Sequence, residues 1–265
     1  MFAVDRIVTR YPSDSFDKCV RFDQSKAISV KAARDQYQAY VEYVSSIVAT
    51  HNQIEQDPQL ADCVFIENTA VVLDHQHVVI TRPGASSRQD EIKAVLGYFE
   101  SFMTVHPMED PATLDGGDVL RVGDTLIVGL STRTNQEGID FLTHHAKSLG
   151  IKTRSTPLPA GLHFKSFCSL AAPDLLVYDP QIGLDLSVFD DLPVRLLAAP
   201  ETMGANVLAL APGKVLVSEA APETAKLLRE EGLDVSVINV SEMHVADGAL
   251  TCPSVRIPKQ GAWCT

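Results

Sequence analysis

The sequence predicts an α/β protein in which a unit of two or more strands and one helix recurs about five times around a central channel. Three observations predict it. Short apolar runs that read as strands start 39 to 50 residues apart, at 77–81 (HVVIT), 125–129 (TLIVG), 175–179 (LLVYD) and 214–218 (KVLVS). Three of them follow a second apolar run, at 70–74 (AVVLD), 118–122 (DVLRV) and 205–210 (ANVLAL), so strands come in pairs. Helical patterns separate the pairs, as crossovers between parallel strands require. A doubly wound nucleotide fold lacks its signature, since neither GxGxxG nor GxxxxGK[ST] occurs.

The first helix is expected over residues 29–50, with Ser29 as N-cap and Ala33, Tyr37, Tyr40, Val41, Val44 and Val48 on one apolar stripe. The second is expected over 87–100, capped by Ser87, with Asp90 and Glu91 in the first turn where the helix dipole favours acid. The third and fourth, over 134–149 and 222–231, are each stopped by a glycine, Gly150 and Gly232. A β-like run over 249–257 carries Cys252, and the polar, aperiodic stretch 11–26 is a candidate lid. His144 and His145 are adjacent on the third helix, about 100° apart, and cannot chelate one metal as an i, i+4 pair can.

Composition narrows the function. The 265 residues are 45% hydrophobic and 21% charged, an ordinary globular balance read as one domain over 1–265. A net charge of −12 repels phosphate backbones and anionic lipid, so nucleic acid and membrane are not expected partners. A charge at Asp5 interrupts any leader-like apolar start, and no apolar stretch approaches the ~18 residues of a span, which predicts a cytoplasmic protein. Five cysteines with no CxxC spacing indicate neither a disulfide framework nor a structural zinc.

The chemistry must come from single ionisable residues at strand ends and tight turns. Cys252 could act as a thiolate nucleophile with His163 as acid/base and Asp115, between Leu114 and two glycines, orienting the imidazole. Spacing alone does not choose this trio over other Cys, His and Asp sets.

Six segments carry a specific resemblance. VFIENTAVV, ITRPGASSR, TLDGGDVL, VGLSTRTNQEG, GLHFKSFCSLAAPDLL and DGALTCPSV stand in the order and spacing of the dimethylarginine dimethylaminohydrolase family, within the pentein superfamily of guanidine-modifying enzymes. The resemblance runs from about residue 3 to 257 and is weakest across 179–203. It implies a five-bladed α/β-propeller of ββαβ-like modules.

Position by position, the resemblance makes Cys252 the nucleophile, His163 the general acid/base and Asp115 its orienting carboxylate. It assigns Asp62 and Glu67 to the guanidinium, Phe65 to packing beside it, Arg88 and Arg133 to the substrate α-carboxylate, and Asp247 to the pocket. Asn68 departs from the family, which has aspartate there; the amide loses a charge and gains an N–H donor, favouring a distal substituent that bears an acceptor. Arg82 and Lys165 are expected outside the site, the first at the Pro83-Gly84 turn and the second in a salt bridge.

The implied reaction is hydrolysis of an Nω-substituted arginine to citrulline and an amine through a covalent Cys thiouronium, with no metal or organic cofactor. The expected partner is a small-molecule guanidine substrate, with a homodimer as the candidate assembly. The alternatives are a hydrolase for another guanidine, such as Nω-hydroxyarginine or arginine itself, and an amidinotransferase. Retention of Cys252, His163 and Asp115 argues against a non-catalytic binding protein on the same scaffold.

Overall fold

The computed structural model describes residues 2–264. Its elements follow the chain as β1 (Val4–Arg10), α1 (Val30–Ile47) and β2 (Thr50–Ile54), then β3 (Ala70–Val72), β4 (His77–Ile80), α2 (Ile92–Phe99) and β5 (Thr104–Pro107). Next come β6 (Val119–Val122), β7 (Thr125–Leu130), α3 (Gln136–Ser148), β8 (Lys152–Pro157), β9 (Cys168–Ala172), β10 (Leu175–Tyr178) and β11 (Arg195–Ala198). The last are β12 (Leu208–Ala211), β13 (Lys214–Ser218), α4 (Pro222–Glu230), β14 (Asp234–Ile238), α5 (Ser241–Val245) and β15 (Ser254–Pro258).

The strands form five three-stranded sheets, β15-β1-β2, β3-β4-β5, β6-β7-β8, β9-β10-β11 and β12-β13-β14. In every sheet the first two strands pair antiparallel and the third lies parallel to the second. That parallel return needs a crossover, which α1, α2, α3 and α4 supply in four blades. The fourth blade has only a 3₁₀ turn, Leu186–Phe189, within the stretch where the family resemblance is weakest.

The core lies between blades. One apolar cluster joins Val8 and Val255 to Val78 and Ile80, the next joins Val71 and Val79 to Val119 and Leu126, and a third joins Leu120 and Ile127 to Leu170 and Leu176. A fourth joins Ala171 and Val177 to Val215 and Val217, and the last joins Leu208 and Leu216 to Ile7, which closes the ring. The molecule is a five-bladed α/β-propeller. Burying side chains on both faces of each central strand accounts for the near-continuous apolar runs in β4, β7, β10 and β13.

Local rules place the helices. Ser29 caps α1 by accepting from Ala32 N at 3.2 Å, and Tyr37 and Tyr40 are buried on its stripe with their hydroxyls donating to Thr9 and Ser254. The second helix departs from expectation. Residues Ser86–Glu91 form a 3₁₀ turn whose N-cap is Ala85, so Ser87 caps nothing, and the α-helix begins at Ile92. The third helix takes its cap from Asn135, whose side chain accepts from Gly138 N at 2.8 Å. Cys252 is likewise not within a strand, since β15 begins at Ser254 and the nucleophile candidate sits in the turn before it. The candidate lid is ordered at its base by a 3₁₀ turn, Phe16–Lys18, with Phe16 and Cys19 buried, leaving residues 20–26 as the exposed part. No helix among the described residues is long and apolar enough to cross a membrane.

Candidate active site

Each blade's inner strand is entered through a tight turn, and these turns meet at one end of the axis. Ile66–Thr69 precedes β3, Gly116–Asp118 precedes β6, Phe164–Ser166 precedes β9 and Thr202–Ala205 precedes β12. The first packs on the second, the second on the third, the third on the fourth, and β15 completes the circle against the first. Functional side chains therefore occur at equivalent places in successive modules: Asn68 within the first turn, Asp115 and His163 as the residues before the second and third, and Cys252 in the turn before β15.

The turns converge on a pocket of about 20 Å³, lined by Phe65, Asn68, Arg88, Asp115, Arg133, His163, Asp247 and Cys252, with Val20, Leu162, Ala246 and Gly248 as apolar or bare wall. That is room for about one water. Eight of the ten residues singled out from the sequence share this wall; Asp62 and Glu67 do not. An arginine side chain exceeds this volume, and the exposed segment contributes Val20 to the wall. That segment is tethered by two acids: Asp62 accepts from Val20 N at 3.1 and 3.2 Å, and Asp247 accepts from Phe22 N at 2.6 Å. Asp247 does so from a left-handed backbone, φ 57°, which non-glycine residues seldom adopt. Burial pushes the Asp62 carboxyl above its ordinary range, against the pull of Arg88, Val20 N and Arg133.

Asp115 and His163 form a buried pair, Oδ2 to Nε2 at 2.8 Å. The second carboxylate oxygen of Asp115 accepts from Gly84 N at 2.9 Å, and its own N–H donates to Thr134 Oγ1 at 3.2 Å. Burial works to raise the Asp115 carboxyl, but the His163 bond and charge, with Arg88 and the Gly84 N–H, hold it below the usual range. The acid is therefore ionised, and Nδ1 of His163 is the ring nitrogen left to act. Asp118 holds the backbone beside His163: it accepts from Phe164 N at 2.8 Å, the residue after His163, and from Ser131 and Thr134 hydroxyls at 2.7 Å. Gly117 must be bare, because a Cβ there would stand 2.8 Å from Asn68 Oδ1 and 2.9 Å from the His163 ring.

Cys252 is half-buried, with Sγ accepting from Ala249 N at 3.3 Å. Burial pushes its thiol up to about 11, helped by the Glu67 charge and opposed by the Ala249 N–H, Lys165 and Arg256. The free thiol is thus protonated at neutral pH. A cation beside it favours the thiolate.

Arg88 and Arg133 both reach the pocket but are differently committed. Arg88 spends its Nε–NH2 edge on Glu91, at 3.0 and 2.7 Å, and donates further from NH2 to Phe65 O, so only NH1 remains for a ligand. Arg133 has no side-chain hydrogen bond or ion pair among the described residues, and also lines an adjoining cavity of about 100 Å³ at the mouth with Val20, Arg21 and Phe22. Asn68 turns Oδ1 to Gly117 N at 3.0 Å, which leaves its N–H₂ donors for the pocket.

Glu67 is placed differently from the sequence expectation. Its carboxylate faces inward, where Oε1 accepts from Lys165 Nζ at 2.6 Å and from Arg256, while Oε2 accepts from Thr251 Oγ1 at 2.8 Å. A buried carboxylate takes the strongest cationic donors within reach, and Lys165 and Arg256 supply them from neighbouring modules. Arg82 pairs with Asp110 at 2.9 Å, away from the pocket wall. Sequence reasoning set Lys165 aside and did not weigh Arg256. Their signal was present as single cations inside apolar text, HFKSF and SVRIP. No group of three or more His, Cys, Asp or Glu side chains able to hold a metal ion occurs among the described residues.

The chain is 36% identical over 227 residues to the N(G),N(G)-dimethylarginine dimethylaminohydrolase of Streptomyces coelicolor, covering 85% of this chain and 86% of that one. The chain belongs to the dimethylarginine dimethylaminohydrolase family. The family member of that name from Pseudomonas aeruginosa is 28% identical over 232 residues, covering 84% of this chain and 88% of its own. A family model described as arginine deiminase matches residues 199–258. The fold is shared with a cysteine-to-serine variant of the Pseudomonas family member solved with citrulline, at a TM-score of 0.90, 24% identity and coverage of 97% and 100%. It is also shared with the N-terminal domain of ArgZ, an arginine dihydrolase from cyanobacteria, at a TM-score of 0.84, 20% identity and coverage of 96% and 98%. The protein is accordingly an amidine-hydrolysing enzyme.

Proposed function

We propose that this enzyme hydrolyses an Nω-substituted arginine, with Nω,Nω-dimethylarginine the leading substrate, to citrulline and an amine in the cytoplasm. One observation carries the reading: the buried Asp115–His163 pair, 2.8 Å apart, opens on the same small pocket as Cys252. Arg133 and the free NH1 of Arg88 would bind the α-carboxylate, and Phe65, Asn68 and Asp247 would surround the guanidinium, with Asp62 adding negative charge from behind the lid.

Arrival of the cationic guanidinium favours transfer of the Cys252 proton to His163, and the thiolate Sγ attacks the guanidinium carbon. His163, as imidazolium, gives its proton to the departing nitrogen while the C–N bond breaks, leaving the thiouronium on Cys252. Asp115 stabilises that imidazolium and fixes the ring. Water then attacks the same carbon, His163 accepts its proton, and the C–S bond breaks to restore the thiolate and release citrulline.

Asn68 supports a second reading of the distal substituent. With Oδ1 held by Gly117 N, the side chain offers its N–H₂ donors to a ligand, which suits an oxygen-bearing group such as Nω-hydroxyl or alkoxyl better than a methyl. Citrulline release from arginine, mono- and dimethylarginine and Nω-hydroxyarginine ranks these directly. Cys252→Ser should lose about 10³-fold or more in kcat with native circular dichroism. Turnover within about tenfold of wild type would overturn the covalent route.

A further inference from the structure

The turns that meet at the end of the axis are not used equally. The first supplies Asn68, the second and third are preceded by Asp115 and His163, and the turn before β15 carries Cys252, whereas the fourth, Thr202–Ala205, adds no wall to the catalytic pocket. A cavity of about 240 Å³ stands there instead. Thr202 and Met203 border it from the fourth turn, Ser166 and Phe167 from the third module, and Ala249 from the Cys252 turn. Asn206, the residue after the fourth turn, spans the same gap: its Nδ2 donates to Lys165 O at 2.8 Å and to Thr251 Oγ1 at 3.1 Å, and its Oδ1 accepts from Thr251 N at 3.1 Å. The cavity therefore lies between the module of His163 and the turn of Cys252. Leu162, Asp247 and Gly248 line both it and the catalytic pocket, so the two spaces adjoin. Neither Arg88 nor Arg133 lines it.

The departing nitrogen must take its proton from His163 while Cys252 holds the carbon, so its substituent projects between those two residues. We propose that the cavity is the subsite for that substituent and that it takes an unbranched alkyl group longer than methyl, so that Nω-propylarginine binds better than Nω-methylarginine. The inference rests on the roles of Cys252 and His163 proposed above. Size supports it, since an apolar cavity of about 150 Å³ takes a whole benzene molecule and a methyl group would leave most of this one unfilled. Chemistry supports it as well. The wall is mainly apolar, and two large apolar side chains on it are left in solvent, Phe22 at 74% exposure and Met203 at 42%. An alkyl chain there removes apolar surface of its own and of these side chains from water. Asn206 spends both N–H donors within the protein, and Asp247 is engaged by Phe22 N.

The test reads binding before turnover. Calorimetry on the full-length Cys252→Ser enzyme gives Kd for arginines carrying an Nω-methyl, ethyl, propyl or butyl group. Burying two further methylenes corresponds to about tenfold in affinity, so Nω-propylarginine should bind about tenfold more tightly than Nω-methylarginine. Ser166→Leu and Met203→Trp add bulk to the cavity wall from two modules. Each should abolish that gain and leave the Kd of Nω-methylarginine within about twofold. In the enzyme with Cys252 intact, kcat/KM for citrulline release should follow the same order. Nω-propylarginine that binds no better than Nω-methylarginine overturns the proposal, and so does a gain that survives both substitutions. Should neither variant fold, the chain-length series in Cys252→Ser decides alone. Binding needs no turnover, so a failure to release citrulline from any of these arginines would sink the hydrolytic reading while leaving the subsite readable.

Discussion

Asp115→Asn tests the proposed catalytic pair of Asp115 and His163 with little change of shape. The Gly84 N–H can be met only by the amide oxygen, so the substituted side chain is forced to turn its N–H₂ toward His163. Nε2 must then accept instead of donate, the ring proton moves to Nδ1, and the nitrogen facing the pocket becomes a donor. The imidazolium formed during turnover also loses its counter-charge. Coulomb's law across the observed 2.8 Å, at an effective dielectric of about 20, gives roughly 6 kcal/mol for that pair. Relaxation and water return part of this, leaving about 4 kcal/mol, or about 10³-fold in kcat. The fold should hold, since the oxygen to Gly84 and the N–H to Thr134 remain. Citrulline release from dimethylarginine across a pH series gives kcat and KM, and circular dichroism checks the fold. A natively folded variant within about tenfold of wild-type kcat would refute the account, because neither the tautomer nor the counter-charge would then matter.

Arg133→Ala should raise KM with a loss of roughly 2–4 kcal/mol in kcat/KM, and wild type should process agmatine poorly; efficient agmatine hydrolysis would remove the carboxylate clamp. Asn68→Asp should shift preference toward methylated arginines, measured as a ratio of kcat/KM values, whereas an equal change for every substrate would make Asn68 a tolerated isostere. Acid stability should carry the signature of Glu67, whose carboxyl Lys165 and Arg256 hold down at about 2 despite burial. A carboxyl depressed on folding stabilises above its ordinary value of 4.5, and that contribution is lost as pH falls through about 2, so about 3 kcal/mol should disappear across this window. Asp62, Glu91 and Asp118 are raised by burial and act in the opposite sense, so the comparison is with Glu67→Gln in denaturant unfolding; identical pH dependence in the two proteins would contradict the assignment.

The central strands were legible because they are buried on both faces, so VVI, LIV, LLV and VLV stand out as unbroken apolar runs. The third strand of each blade was not. β2 (THNQI) and β8 (KTRSTP) lie at sheet edges, the first with no buried residue and the second with Thr156 alone buried, and β1 is held by partners far away in sequence rather than by a neighbouring apolar run. In the site, residue identities could be matched position by position, but the direction of a side chain could not. Glu67 and Asn68 are adjacent in a 3₁₀ turn, and consecutive residues there point apart, so Asn68 meets the pocket and Glu67 the buried cations. Which did which depended on Lys165 and Arg256, about 98 and 189 residues away.

Four of the five blades are made from consecutive chain, and each can form as soon as its own segment is available. The blade that seats Cys252 is different, because β15 pairs with β1, as in Val255 with Val8 and Ser254 with Thr9, nearly the whole sequence apart. Closing so long a loop is the costliest entropic step in assembling the ring. On this reasoning the turn that carries Cys252 should be fixed last and released first when the ring loosens. Hydrogen exchange at Val255 and Ile257 should report loss of activity before exchange in β7 or β10 reports loss of the fold.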